Sequence, residues 1–484
     1  MKRPFLLLLF LPFFLAIPAF ASNGLSLNQK EISDLTSPSV VKIIQKVKGD
    51  AEIPAFKINF SDLTVSIDDN QPSTTVPVDD YFFGSGFVVN PDGYIMTNSH
   101  VVSYQTVKNL IASDFILPAI SEGFNNLSEA ETAKIGEKSD EIAKFGEKIV
   151  NYVLENSKFN IEKEVVVLNP SSKKENTQDL FNEGFPAKII SVNDDFYKDN
   201  KDTAIIKIDE KNLPAILLGS SVNISTGDKV YILGYPTTAE LNSKGLVSSS
   251  FTQGIVSALK DSITREFKVI ETDAKISKGS SGGPLLNEQG GAIGLVTFIT
   301  NDETKQDGDS FAFAVPIDVA KKTIREKIVQ SETLPDLAEG GYGRHFLLGL
   351  DELHQNHCQK ALQEFDLARQ VNSKFNVAKY LDPYVNECNV LIQSGKSIDT
   401  PLGMFWQKIT TASYLVWIGV TVVFLVFLWG LIYIIRLRFR VNKDEKELDN
   451  VERYLHLNLE DGNPIDEKGK EEDELERLKP KVKG

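Results

Sequence analysis

The chain is short of basic charge: 52 Lys and Arg stand against 67 Asp and Glu, a net charge of -15 at pH 7. That balance excludes the basic stripe by which nucleic-acid binders engage phosphates. Sulfur is scarce as well, with two cysteines, Cys358 and Cys388, in 484 residues. His354 and His357 lie close to the first of them, but the spacing matches no familiar zinc site, so neither a metal nor a cofactor is called for. A local absence is the most telling. Between Lys408 and Arg436 there is no charged residue, and the run Ile409 to Ile435 has no polar face. A soluble core helix would keep one, whereas about 20 apolar residues suffice to cross a bilayer.

What is present supports export of everything before that span. Lys2 and Arg3 precede an apolar run, Phe5 to Ile17, and Ala19-Phe20-Ala21 has the small-x-small form of a secretory cleavage site. Residues 1–21 therefore read as a signal peptide and 410–435 as a transmembrane helix. Arg436, Arg438 and Arg440 follow the span and put the tail, 436–484, in the cytoplasm by the positive-inside rule. The expected topology is a single-pass membrane protein with its main domain extracytoplasmic. Outside the cytoplasm a lone cysteine pair favours a disulfide, so Cys358 and Cys388 are expected to be bonded.

The exported region, 22–335, reads as many short strands. Val40 to Ile44, Gly86 to Val89, Tyr94 to Met96, Val165 to Leu168, Ala187 to Val192, Ala204 to Ile208, Lys229 to Leu233 and Gly291 to Thr297 are β-rich. Strands without intervening helices imply a barrel or sandwich. From about 104 to 160 the apolar spacing turns helical, through Val107, Leu110 and Ile111, then Ile142, Phe145, Ile149 and Val153, with Ser128-Glu-Ala-Glu131 as a capping box. This predicts a two-helix insertion: a decoration of the barrel, a substrate-restricting arm or an oligomer contact.

Three segments carry chemistry. Ser277-Lys-Gly-Ser-Ser-Gly-Gly-Pro284 offers a serine on a glycine-rich turn, Tyr94-Ile-Met-Thr-Asn-Ser-His100 a base, and Asp202-Thr-Ala-Ile-Ile-Lys207 a carboxylate. A serine hydroxyl needs an adjacent imidazole to become a nucleophile, and a buried carboxylate fixes that imidazole's tautomer. Ser281 is assigned the attack, His100 the proton transfer and Asp202 the orientation of His100. Ser280 is the competing nucleophile. The N–H groups of Gly279 and Ser281 are expected to form an oxyanion hole, and Gly282 and Gly283 to let the chain pass close beneath a substrate.

These segments, with Gly84-Ser-Gly-Phe-Val88, Gly227-Asp-Lys-Val-Tyr-Ile-Leu-Gly-Tyr-Pro236 and Phe311-Ala-Phe-Ala-Val-Pro316, resemble the trypsin-like serine peptidases of the HtrA/Deg group. The resemblance implies a double β-barrel and an ATP-independent endopeptidase acting on exposed or unfolded protein segments. It departs from the group in three ways: Ser280 stands where Asn is usual, the His-to-Asp segment is long, and no PDZ-like module follows the barrels. Residues 340–396 instead read as a small all-α module weakly similar to tetratricopeptide repeats, which would dock on the protease or on a second copy. It is either a membrane-proximal spacer or a groove for a protein partner. The rival reading of the whole is a catalytically silent binding or chaperone protein on a peptidase scaffold.

Overall fold

The computed structural model describes residues 25–125, 127, 139–168, 176–236, 249–300, 311–327 and 341–460. It falls into two units, one ending at Thr400 and one beginning at Pro401. Among the described residues the first unit holds fourteen strands: β1 (Val40–Ile53), β2 (Phe56–Asn59), β3 (Thr64–Ile67), β4 (Thr74–Asn90), β5 (Tyr94–Thr97), β6 (Lys158–Leu168), β7 (Phe185–Val192), β8 (Ala204–Ile208), β9 (Lys229–Gly234), β10 (Ser250–Asp261), β11 (Lys268–Thr272), β12 (Pro284–Leu286), β13 (Ala292–Thr300) and β14 (Phe311–Pro316).

Two antiparallel barrels close from these. One runs β1-β4-β5-β8-β7-β6, the other β10-β11-β14-β13-β12-β9. Closure removes the exposed edges that short strands would otherwise leave unpaired. Val41, Ile43, Val88, Ile95, Val167 and Ile206 fill the first barrel. Val230, Ile232, Val256, Ile270, Leu285 and Val296 fill the second. A third cluster joins the barrels: Phe87 and Met96 from one meet Leu233, Tyr235 and Leu286 of the other, with Ile32 from an N-terminal helix, Gln29–Thr36. That helix starts on a capping box in which Asn28 and Glu31 satisfy each other's backbone N–H groups.

The first barrel's strands run on past its wall. β1 pairs with β4 as far as Ile53↔Thr74 and with β6 as far as Glu52↔Lys158. The β2–β3 hairpin and two helices, Tyr104–Asn125 and Ser139–Asn156, cover this extension. Ala51, Ile53, Phe60, Ala112, Ile116, Phe145, Ile149 and Val153 give it a core of its own. The hairpin and the strand extensions have no counterpart in the sequence reading, because their half-buried alternation is indistinguishable from loop without the partner strand. Ser128-Glu-Ala-Glu131 lies outside the described residues.

Three helices, Tyr342–His354, Cys358–Ala368 and Ala378–Gln393, pack around Phe346, Leu350, Phe365, Leu381 and Tyr384. They sit directly on the N-terminal helix and the barrels. Tyr342 and Tyr384 donate hydroxyl hydrogen bonds to the Asp34 backbone oxygen (2.6 Å) and Asp34 Oδ2 (2.9 Å). His354 Nε2 pairs with Glu31 at 2.9 Å. Asn372 N–H donates to the Asn212 carbonyl, at 2.8 Å, on the segment linking the barrels. Phe375 is fully buried in the first barrel's cluster and stacks on Phe185 at 6.1 Å.

Cys358 and Cys388 differ from the expected disulfide. Both are buried and both are free thiols. Burial, and then the neighbouring Cys358, push the Cys388 thiol well above the ordinary thiol range, which disfavours its reactive thiolate form. His357 bonds to Glu352 and His354 to Glu31, and among the described residues no group of three or more metal-ligating side chains assembles.

The second unit has a single described helix, Pro401–Glu460. Its stretch Val416–Asn450 is long and apolar enough to cross a membrane, with mean hydropathy 2.7 in its richest window and none of that window buried.

Candidate active site

His100 sits in a short helical turn, Ser99–Val102, straight after β5, and Asp202 lies just before β8. Because β5 and β8 pair, Thr97↔Ala204, the two segments start side by side. Two further bonds lock them together, and a third ties Ser99 to the residue after β7. Asn98 Nδ2 donates to the Asp202 carbonyl at 2.7 Å, Ser99 Oγ to the Thr203 carbonyl at 2.7 Å, and Asn193 N–H to Ser99 Oγ at 2.9 Å.

The His100 ring then meets the carboxylate squarely. Nδ1 lies 2.6 Å from Asp202 Oδ2, while the His100 backbone N–H donates to Oδ1 at 3.0 Å. Thr297 Oγ donates to the same Oδ2 at 2.5 Å. Asp202 is only 4% exposed. Burial alone would raise its carboxyl pKa, but the His100 charge and these bonds outweigh it and hold the group below the usual carboxylate range. Burial likewise disfavours the His100 imidazolium, and the Asp202 charge and hydrogen bond outweigh that too, raising its pKa.

Ser281 comes from the second barrel, between β11 and β12, and its hydroxyl donates to the Thr297 carbonyl at 3.0 Å. Among the described residues no hydrogen bond joins it to His100, so for Ser281 to serve as a nucleophile activated by His100 its hydroxyl would have to turn from that carbonyl; such bonds often tighten only when substrate is bound. Ser280 is only 5% exposed, which disfavours it as the attacking group.

The turn before Ser281 has a defined shape. Ser280 N–H donates to the Ser277 carbonyl at 3.0 Å, and Gly279, third of the four residues, has φ +95°. A turn of this kind requires a positive φ at that place, which glycine adopts without strain. Among the described residues, the N–H groups of Gly279 and Ser281 have no acceptor. Gly282 has a different reason from the one expected. Its φ is +88°, and a Cβ there would lie 2.0 Å from the Ser85 carbonyl oxygen. At Gly283 a Cβ would lie 2.3 Å from the Leu233 carbonyl oxygen. At both positions the protein's own backbone passes too close for a side chain.

Two residues were missed by sequence reasoning. Thr297 binds both Asp202 and Ser281, yet nothing marks it within a plain β-rich run. Ser85 bridges the barrels beneath the nucleophile, and the only signal for it is the pair of glycines around it. A cavity of about 300 Å³ opens beside the site, lined by His100, Phe196, Tyr197, Asn200, Asp202 and Thr297.

Residues 84–295 match the family model of the trypsin-like peptidase domain. A periplasmic DegP-like serine endoprotease of Halomonas elongata is 27% identical over 239 residues, 49% of this chain and 33% of that protein. The serine endoprotease DegS of Haemophilus influenzae is 33% identical over 133 residues, 26% of this chain and 36% of that protein. Among solved structures, an HtrA-type protease AlgW with a decapeptide covers 63% of this chain and 68% of its own, at 20% identity and a TM-score of 0.35. The chain spans about a third of the length of the first of these curated relatives. Two closed six-stranded barrels and the match over 84–295 together support a trypsin-like serine peptidase domain, similar to DegP-like and DegS serine endoproteases.

Proposed function

We propose that this chain is a membrane-anchored serine endopeptidase whose catalytic domain faces away from the cytoplasm and which cleaves exposed or unfolded protein segments. The observation that carries the reading is the His100–Asp202 pair, 2.6 Å apart, linked through Thr297 to a serine whose turn leaves two N–H groups unengaged. In the catalytic cycle Asp202 accepts from Nδ1–H, which leaves the Nε2 lone pair of His100 to take the Ser281 proton. Ser281 Oγ attacks the carbonyl carbon, and the Gly279 and Ser281 N–H groups receive the developing oxyanion. His100 returns the proton to the leaving amine, and water repeats the sequence on the acyl-enzyme. No cofactor enters any step.

The neighbouring cavity bears on substrate choice. Phe196 and Tyr197 meet edge to face, with ring centroids 5.9 Å apart, beside the His100 ring, and so favour an apolar substrate side chain next to the scissile bond. The apolar helix Val416–Asn450 supports the anchor, and the periplasmic description of the DegP-like relative supports the location. The docked helical module acts as a spacer held on the protease, since Tyr342, Tyr384 and Phe375 are committed to that contact.

Labelling with a fluorophosphonate tests the assignment: the full chain in detergent should label once, and Ser281→Ala not at all. A folded protein that never labels would sink the enzyme reading. It would favour a silent binding or chaperone protein instead, for which the one structural support is that Ser281 Oγ bonds to Thr297 rather than to His100.

A further inference from the structure

Ser85 is fully buried on β4, in the first barrel, and engages the nucleophile loop of the second through both its side chain and its backbone. Its Oγ donates to the Gly279 carbonyl at 2.7 Å and accepts from Tyr235 N–H at 2.9 Å. Its own N–H donates to the Ser281 carbonyl at 2.7 Å. Its carbonyl accepts from Thr97 Oγ at 2.7 Å and lies where a Cβ on Gly282 would need to be. Backbone and hydroxyl thus grip alternate peptide units of one turn.

Taken unit by unit, the turn shows what the grip achieves. The peptide between Gly279 and Ser280 is held at both ends, its oxygen by Ser85 Oγ and its N–H by Ser277. The peptide between Ser281 and Gly282 is also held at both ends, by Ser85 N–H and by Val296. Between them, the Ser280 carbonyl is taken by Gly283 N–H, leaving only the Ser281 N–H free. Fixing two peptide planes on either side of a third leaves that third little freedom, since each plane turns only about its flanking φ and ψ.

We infer that Ser85 is a positioning residue for the oxyanion hole, its hydroxyl clamping the Gly279–Ser280 peptide so that the Gly279 and Ser281 N–H groups stay aimed at one point. The inference rests on the peptidase reading proposed above. It assigns the Gly-Ser-Gly on β4 a task that no motif on the nucleophile loop can perform alone, because the clamp reaches across from the other barrel. Preorganised donors matter most where negative charge develops, and loss of one donor costs about 10²–10³-fold in turnover. Loosening the turn without deleting a donor should cost less.

The test compares Ser85→Ala with the unaltered full chain in detergent. Expected is a fall in kcat of about 10- to 100-fold with KM for a peptide ester within about twofold, a partial oxyanion-hole defect. Affinity for a peptide boronate, whose tetrahedral oxygen needs both N–H groups, should fall in parallel with kcat. General destabilisation would not separate boronate from substrate in this way. A second arm needs no catalysis: in the Ser281→Ala background, amide hydrogen exchange across residues 277–283 should quicken when Ser85→Ala is added, with the rest of the barrels unchanged. Wild-type boronate affinity and unchanged exchange in a folded Ser85→Ala protein would overturn the inference. If that protein does not fold, Ser85→Cys, a weaker donor of similar size, is read by the same two measures. A wild-type chain that never labels with fluorophosphonate would overturn the peptidase reading, while the exchange arm would still decide what Ser85 does to the turn.

Discussion

Replacing Asp202 by asparagine puts a donor where the site has only donors to offer. Asp202 Oδ1 accepts from the His100 backbone N–H, which cannot turn away. Oδ2 accepts from Thr297 Oγ and faces His100 Nδ1. An amide NH2 on the Oδ1 side would oppose that fixed N–H, so the amide nitrogen settles toward His100 and the Thr297 hydroxyl rotates. Facing a donor, the imidazole must present an unprotonated Nδ1, and in its neutral form it then carries its proton on Nε2. That is the atom needed as base. A wrong tautomer of this kind costs about 10⁴-fold in kcat, equivalent to about 5.4 kcal/mol of transition-state stabilisation.

The pH profile adds a sign that the rate alone lacks. In the proposed mechanism His100 acts when neutral, and its pKa is raised above the ordinary 6.5 of histidine because the nearby Asp202 charge and hydrogen bond outweigh the opposing effect of burial. In the unaltered enzyme, kcat/KM should therefore fall with acid through a midpoint above 6.5. Asp202→Asn removes the charge and should move that midpoint down while the plateau drops. Hydrolysis of a peptide ester from pH 5 to 9, corrected for active sites, measures both. A variant within about tenfold of the unaltered enzyme, with its acid limb unmoved, would refute the assigned role.

Gly282→Ala should cost several kcal/mol or prevent folding, because its Cβ would meet the Ser85 carbonyl at 2.0 Å in a left-handed conformation; thermal unfolding reads this. Phe375→Ala should cost about 3–5 kcal/mol and lower the melting transition of the barrels rather than that of the helices alone, as Phe375 fills the first barrel's cluster. Unfolding the purified protein without reductant and titrating thiols should give two free groups, Cys358 and Cys388; none would mean that the bonded pair is the native form.

The strand runs and the three chemical segments were legible because each is local. The stretch Ala204 to Ile208 is apolar at every position but one, as a barrel strand enclosed on both faces must be, and a glycine-rich turn advertises its backbone in its composition. Ser85 and Thr297 are different. Each matters through partners far along the chain: Gly279, Ser281 and Tyr235 for one, Asp202 and Ser281 for the other. A serine or threonine within a strand carries no mark of which backbone it will meet, since closure of the barrels decides that. The same limit explains Gly282 and Gly283, legible as glycines but not in their reason, because the carbonyl oxygens that exclude a Cβ belong to strands β4 and β9. Spacing can thus single out the groups proposed to react, whereas the groups that hold them still are set by the approach of two separately closed barrels.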